Sequence, residues 1–178
     1  MACISKLSAG FAYDCDTGAT GIKSAIIINK EDISSVTFES SAMVSNLVLA
    51  SGTKAYKIDT PKRVLVITES LKTNEGAPNA LSFSAAITIT APGNSALDLS
   101  VLQSLPNGSY VILTKEANGK HRVYGLYYGL SSSAYDRSTA DNGGWVTVTL
   151  ATPEQFIGED NMSIYSSVYD ALYQAAVY

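Results

Sequence analysis

Apolar and polar positions alternate along much of the chain with a period of two, the mark of strands with one buried face. Ser35-Val36-Thr37-Phe38-Glu39 shows it, and so does the run from Leu81 to Thr90. Lys54-Ala55-Tyr56-Lys57-Ile58-Asp59 repeats the pattern before Pro61 stops it. Residues 43–49 and 63–70 read as strands of the same style. The run from Gly21 to Asn29 contains Ile26-Ile27-Ile28, too unbroken for a strand with one wet face. Ser109-Tyr110-Val111-Ile112-Leu113-Thr114 is also apolar; Ala117-Asn118-Gly119-Lys120 breaks it and residues 121–128 answer it. Asn-Gly between two such runs predicts a hairpin with a type I′ turn, whose central residues both need positive φ. A serine-rich loop and Asp141-Asn142-Gly143-Gly144 then lead to a further strand, Trp145-Val146-Thr147-Val148-Thr149-Leu150.

Between the strands of residues 63–70 and 81–90 lies a polar stretch carrying Gly and Pro, residues 72–79. It predicts a loop projecting from the end of a long hairpin. Pro92-Gly93-Asn94 announces a helix from Ser95 to Ser104. Ser95 and Asp98 sit at capping-box spacing, Leu97, Val101 and Leu105 (with Leu102 beside them) form an apolar stripe, and Pro106-Asn107-Gly108 ends the helix. Such a helix would cover an open end or face of a sheet assembly. Near the C-terminus, Ile164, Val168 and Leu172 recur every four residues beside Tyr165, Tyr169 and Tyr173, which favours a helix, although β-branched and aromatic residues weaken it.

These elements predict a mainly β chain: a β-sandwich or β-barrel of about nine antiparallel strands with one flanking α-helix and a C-terminal helix or extended tail. A doubly wound α/β fold would need a helix between successive strands. The organisation expected is an extended N-terminal arm (1–20), a sandwich or barrel domain (21–160) and a tail (161–178).

Composition adds a hint of association. Charged residues are 16% of the 178, under the ~25% usual for soluble domains. Ser, Thr, Asn and Gly must then carry the surface, unless part of it is hidden against other subunits. The eleven tyrosines suit contact surfaces, and equally suit strands. A net charge of -4 and scattered Lys and Arg argue against binding driven by phosphate neutralisation, while allowing DNA to pass without sticking. Cys3 and Cys15 fit neither a disulfide framework nor a zinc pattern, and read as free thiols in a reducing compartment. The first residues lack a signal peptide's basic and apolar regions, and no apolar run approaches the ~20 residues of a membrane span. Synthesis in the cytoplasm without a membrane anchor is the expectation.

Catalytic chemistry is sought without success. Asp14-Cys15-Asp16 could open a calcium loop, but the twelfth position, which needs a bidentate Glu, holds Ala25. Gly18-Ala19-Thr20-Gly21-Ile22-Lys23-Ser24 fails as a phosphate loop because Ile22 separates the Lys from the last Gly. His121 is the only histidine, and the spacing of Asp136, Asp141, Glu154, Glu159 and Asp160 selects no catalytic pair. No enzyme activity, metal or cofactor is expected.

Some residues carry a family resemblance. Tyr13-Asp14-Cys15 precedes Gly21-Ile22-Lys23 and a strand ending Ile28-Asn29; much later come Gly119-Lys120-His121-Arg122-Val123-Tyr124-Gly125-Leu126-Tyr127-Tyr128-Gly129-Leu130 and Asn142-Gly143-Gly144-Trp145 with its strand. This ordering resembles small virion structural proteins of tailed bacteriophages, of the tail-tube or tail-ring type, especially in phages of gut Bacteroidales. The resemblance covers both ends of the chain and is loose in the middle. It implies a subunit that assembles with itself into rings, as a hexamer or dodecamer, and meets other virion proteins. DNA would pass non-specifically if the rings form a tube, and the protein would reside in the virion. Subunit contacts would fall on Phe11 and Tyr13 of the arm, on Lys72, Asn74, Glu75 and Pro78, and on Tyr127 and Tyr128. Without partners, the arm and the loop would be an ordinary chain end and surface loop. The alternative is a carbohydrate- or protein-binding β-sandwich of a fibre or adhesin, using Trp145 and the tyrosines as a platform. A hydrolase on a β-scaffold is the third reading.

Overall fold

A computed structural model describes residues 21–58, 65–74, 77–92, 96–138, 145–153 and 162–178. Among them are eleven strands and two α-helices. The chain runs through β1 (Ile22–Asn29), β2 (Ile33–Ser40), β3 (Met43–Leu49), β4 (Tyr56–Ile58), β5 (Leu65–Asn74) and β6 (Ala77–Pro92) to helix α1 (Ala96–Ser104). It continues through β7 (Tyr110–Glu116), β8 (His121–Tyr124), β9 (Ser131–Arg137), β10 (Trp145–Ala151) and β11 (Met162–Ile164) to helix α2 (Ser166–Ala175). The strands form two sheets, a seven-stranded one in the order β2-β3-β11-β8-β7-β1-β4 and a four-stranded one in the order β5-β6-β10-β9. This is the mainly β, sandwich-like architecture expected. Every ladder is antiparallel except the short β3–β11 pair.

Two apolar layers hold it together. One lies between the sheets, where Ala25, Tyr110, Ile112 and Tyr124 meet Leu65, Ile87, Ile89, Val146, Val148 and Leu150. The other lies on the far face of the larger sheet, where Ile26, Ile28, Val111, Leu113 and Val123 are covered by Tyr169, Val168 and Leu172 of α2. Strands β1 and β7 are therefore wet on neither face, which is why their sequences run apolar without alternating. Each fully buried Ile or Leu there contributes about 1.5–3 kcal/mol relative to exposure. Both apolar rows of α2 pack, Tyr169 at 0% exposure and Val168, Leu172 and Tyr173 partly buried around it. Leu102 of α1 and Leu105, just past its end, reach the inter-sheet core while Val101 faces solvent at 54% exposure, so the stripe is rotated from the one the spacing suggests.

Other boundaries also differ from the sequence pattern. The serine-rich segment after residue 130 is a strand, β9, at the edge of the smaller sheet. It needs no alternation because neither of its faces is deeply buried; its backbone pairs with β10, and Ser133 Oγ adds a bond to Thr149 O (3.3 Å). Ile164 belongs to β11 and not to the terminal helix, as a strand filling the place between β3 and β8. The polar stretch at residues 72–79 is mostly strand: β5 reaches Asn74, which pairs with Ala77 at the start of β6. Glu75 and Gly76 lie outside the described residues. The β7–β8 turn is not the type I′ expected. Gly119 N–H donates to Glu116 O (3.0 Å) and Glu116 N–H to Lys120 O (2.8 Å), so Ala117 and Asn118 are central and Gly119 (φ +81°) follows them. That is the three-residue hairpin loop, in which only the glycine must be left-handed.

Candidate functional site

The long β5–β6 hairpin outruns its own sheet. Strand β10 pairs with β6 from Pro92 to Ala86, and Thr152 extends the contact by one residue through Ala85, with bonds of 3.0 and 3.2 Å. Beyond that point, among the described residues, β5 and β6 pair only with each other, as far as Asn74 and Ala77. A two-stranded ribbon is marginal in water. Its side-chain rows are continuous with those of the sandwich. Leu65 and Ile67 enter the inter-sheet core, and the same face carries Leu71 and Phe83, directly opposite each other. These two stand 56% and 42% exposed. The apolar face of the core thus resumes past Glu69 in two half-exposed side chains.

At the base of the ribbon is an open groove of about 1220 Å³. Ser70, Leu71 and Ser84 line one side, and Ser109, Tyr128 and Ser131 to Ser133 the other. Among the described residues the lining carries hydroxyls and no charged side chain. Tyr128 comes from residues 125–130, a compact reversal after β8. Gly125 (φ +78°) and Gly129 (φ +75°) bracket it, Gly129 N–H donates to Gly125 O (2.9 Å), and Leu130 exchanges two backbone bonds with Tyr110 (2.8 and 2.9 Å). The reversal pushes Tyr127 and Tyr128 outward, and Tyr127 stacks on Phe38 of β2 with ring centres 6.0 Å apart.

Among the described residues, ion pairs form locally and no charged side chain lines the groove. At the β7–β8 hairpin Glu116 accepts from Arg122 Nε (2.6 Å) and Asn118 Nδ2 (2.9 Å). Burial, reinforced by Glu69 and its hydrogen bond, pushes the Tyr124 phenol far above its usual range. A hydrogen bond to Glu39 raises that of the exposed Tyr165. His121 is buried under α2 against the Tyr169 ring. No three His, Cys, Asp or Glu side chains among the described residues gather as metal ligands would. Of the carboxylates considered for catalysis, Asp136 is exposed on β9, while Asp141, Glu154, Glu159 and Asp160 lie outside the described residues, as does Asp14-Cys15-Asp16.

The residues singled out as contact candidates divide three ways. Phe11, Tyr13 and Glu75 lie outside the described residues. Lys72, Asn74 and Pro78 belong to the projecting part of the hairpin. Tyr127 and Tyr128 crown the 125–130 reversal, and Tyr128 shares the groove with the hairpin's base. Leu71, Phe83 and the Ser131–Ser133 edge were missed; Leu71 and Phe83 become conspicuous only when the register sets them opposite each other past the last β10 pair. No family model, curated protein or solved structure matches the chain.

Proposed function

We propose that the chain is a self-assembling structural subunit of a tailed-phage virion, of tail-tube, tail-ring or connector type, in which the β5–β6 ribbon reaches a neighbouring copy. The observation that supports this most directly is the Leu71–Phe83 pair, half-exposed on a ribbon whose backbone edge no other described strand shares. Such an edge and such a patch are a liability in a lone molecule and are removed by assembly. A ribbon that leaves one copy and lands elsewhere on the next makes a heterologous contact, which closes into rings when the rotation permits. The described residues that line the groove carry no charge, in keeping with contacts made by packing and hydroxyl groups. Residence in a virion and non-specific passage of DNA belong to the same proposal.

Electron microscopy and sedimentation of the purified chain test it. Closed rings or stacked tubes are expected, and Leu71→Lys with Phe83→Lys should yield folded monomers. A wild-type chain that stays monomeric at concentrations of about 100 μM would refute the reading.

The groove favours a second reading, a binding module for neutral carbohydrate, since it sets Tyr128 among serine hydroxyls. Retention on a polysaccharide column by a monomeric chain, lost in Tyr128→Ala, would select that reading instead.

A further inference from the structure

We infer that α2 and the residues after it form a latch that opens on acidification, with His121 as the proton-accepting side chain beneath it. The latch hangs from a short hinge: β11 ends at Ile164, α2 begins at Ser166, and Tyr165 alone joins them. It is fastened at several points. Tyr169 Oη and Ser24 Oγ are hydrogen-bonded at 2.8 Å, and Lys115 Nζ donates to Asp170 Oδ1 at 3.0 Å. Lys57 Nζ lies over the rings of Tyr173 and Tyr178, 5.0 and 5.1 Å from their centres. Past the helix, Val177 lies along β4, accepting from Lys57 N–H (2.7 Å) and donating to Ala55 O (3.0 Å). The last residues thereby seal the outer edge of the seven-stranded sheet.

His121 occupies the weak point under this segment. Its ring centre is 5.0 Å from that of Tyr169, and its Nε2 is buried with no hydrogen-bond partner. Neutral imidazole tolerates that place, because one ring nitrogen carries no proton and the ring packs as an aromatic. Imidazolium has a donor on both nitrogens, and a buried donor without an acceptor is costly. Among the described residues the charged and titratable groups facing His121 are few. From β7 comes Lys115, its ladder partner; from α2 come Asp170, already held by Lys115, and the Tyr169 phenol. Arg122 points to the opposite face, where Glu116 holds it. Burial and the neighbouring Lys115 cation both lower the proton affinity of His121, and Asp170 opposes them.

The sign follows. A base whose folded affinity lies below its unfolded one gives stability that is complete above about pH 6.5 and is lost as the pH falls below it. Opening α2 restores the ordinary affinity, so acid favours the open latch by about tenfold per pH unit until the docked His121 itself charges. An open latch uncovers Ile26, Ile28, Leu113 and Val123 and frees the edge of β4.

Because the chain has one histidine, its NMR signals are unambiguous. The test follows His121 ring shifts and backbone hydrogen-exchange protection in the full-length chain from pH 8 to 5. Expected are a His121 midpoint below 6.5 and parallel loss of protection in α2 and at Val177, while residues 146–150 keep theirs. His121→Gln should remove the acid-dependent loss. Asp170→Asn should lower the midpoint and Lys115→Gln should raise it, which decides the matter even if His121→Gln folds poorly. A midpoint at or above 6.5, titration without loosening of α2, or the same opening curve in His121→Gln would overturn the inference.

Discussion

The 125–130 reversal supplies a sharp test of how backbone and packing divide the work of presenting Tyr127 and Tyr128. Gly125 and Gly129 have nearly the same left-handed φ, +78° and +75°, so alanine at either place meets the same conformational penalty of about 1–2 kcal/mol. Their surroundings differ. A Cβ on Gly125 would stand 2.8 Å from Tyr110 O and 3.0 Å from Leu130 N, backbone atoms fixed by the Tyr110–Leu130 bonds, and 2.6 Å from Leu130 Cγ in the inter-sheet core. Nothing there can yield without moving β7, which adds an overpacking cost of about 1–3 kcal/mol. A Cβ on Gly129 would meet Ser109 Oγ and Lys30 Cδ, groups that rotate away, and Ser109 Cβ at 3.3 Å, a contact relieved by a shift of a few tenths of an ångström. Gly125→Ala should therefore lose about 2–5 kcal/mol and Gly129→Ala about 1–2. Urea unfolding followed by fluorescence of Trp145, the only tryptophan, measures both. In a chain of this size each kcal/mol also displaces the thermal midpoint by about 2–4 °C. Equal losses, or a larger loss at Gly129, would refute the claim that fixed backbone at Tyr110 sets the cost.

Three further outcomes are expected. Thr114 is fully buried with no partner for its hydroxyl, so Thr114→Val should stabilise the chain by about 1 kcal/mol in the same urea assay; a loss of that size would reveal a hydrogen bond the hydroxyl makes in solution. Leu150 is fully buried between the sheets, and Leu150→Ala should cost about 2–5 kcal/mol, whereas Val101→Ala on the exposed side of α1 should stay within about 0.5. Burial raises the Tyr169 phenol from the usual 10 to about 12, so the stability gained by burying it neutral is complete below pH 10 and fades as the pH rises from 10 to about 12. Absorbance titration near 295 nm should show late-ionising tyrosines, fewer in Tyr169→Phe; one common midpoint near 10 for all would contradict this.

Much of the fold was legible in the residues because alternation is imposed by burial. β3 falls on residues 43–49, as its pattern predicts, and β1, β7 and β10 come within a residue or two of prediction at each end. The unbroken apolar run of Ile26-Ile27-Ile28 correctly announced a strand dry on both sides, although not that α2 would be its second cover. What stayed illegible was set by the partner strand instead of by the side chains. β9 is mostly polar and exists through its ladder with β10. β11 is three residues long and is defined by the gap between β3 and β8. The projecting ribbon looked like a loop because Lys72, Asn74 and Pro78 are residues that turns favour, and pairing between β5 and β6 overrode that preference. The exposed Leu71–Phe83 pair needed register, which no single-strand pattern contains.

The central ladder has a cost in time. β1 is made well before β7, and of its two partners, β4 and β7, the longer ladder, Asn29 with Tyr110 through Ile22 with Glu116, must wait until the whole of β5, β6 and α1 has been made. Pairings so distant along the chain fold slowly, since loop-closure entropy is lost before contacts return it. In that interval Ile26-Ile27-Ile28 is an apolar strand with only the three-residue β4 to pair with, the segment most prone to join a neighbouring nascent chain. Yield of soluble protein should thus depend on translation rate and temperature more than on the stability of the finished molecule.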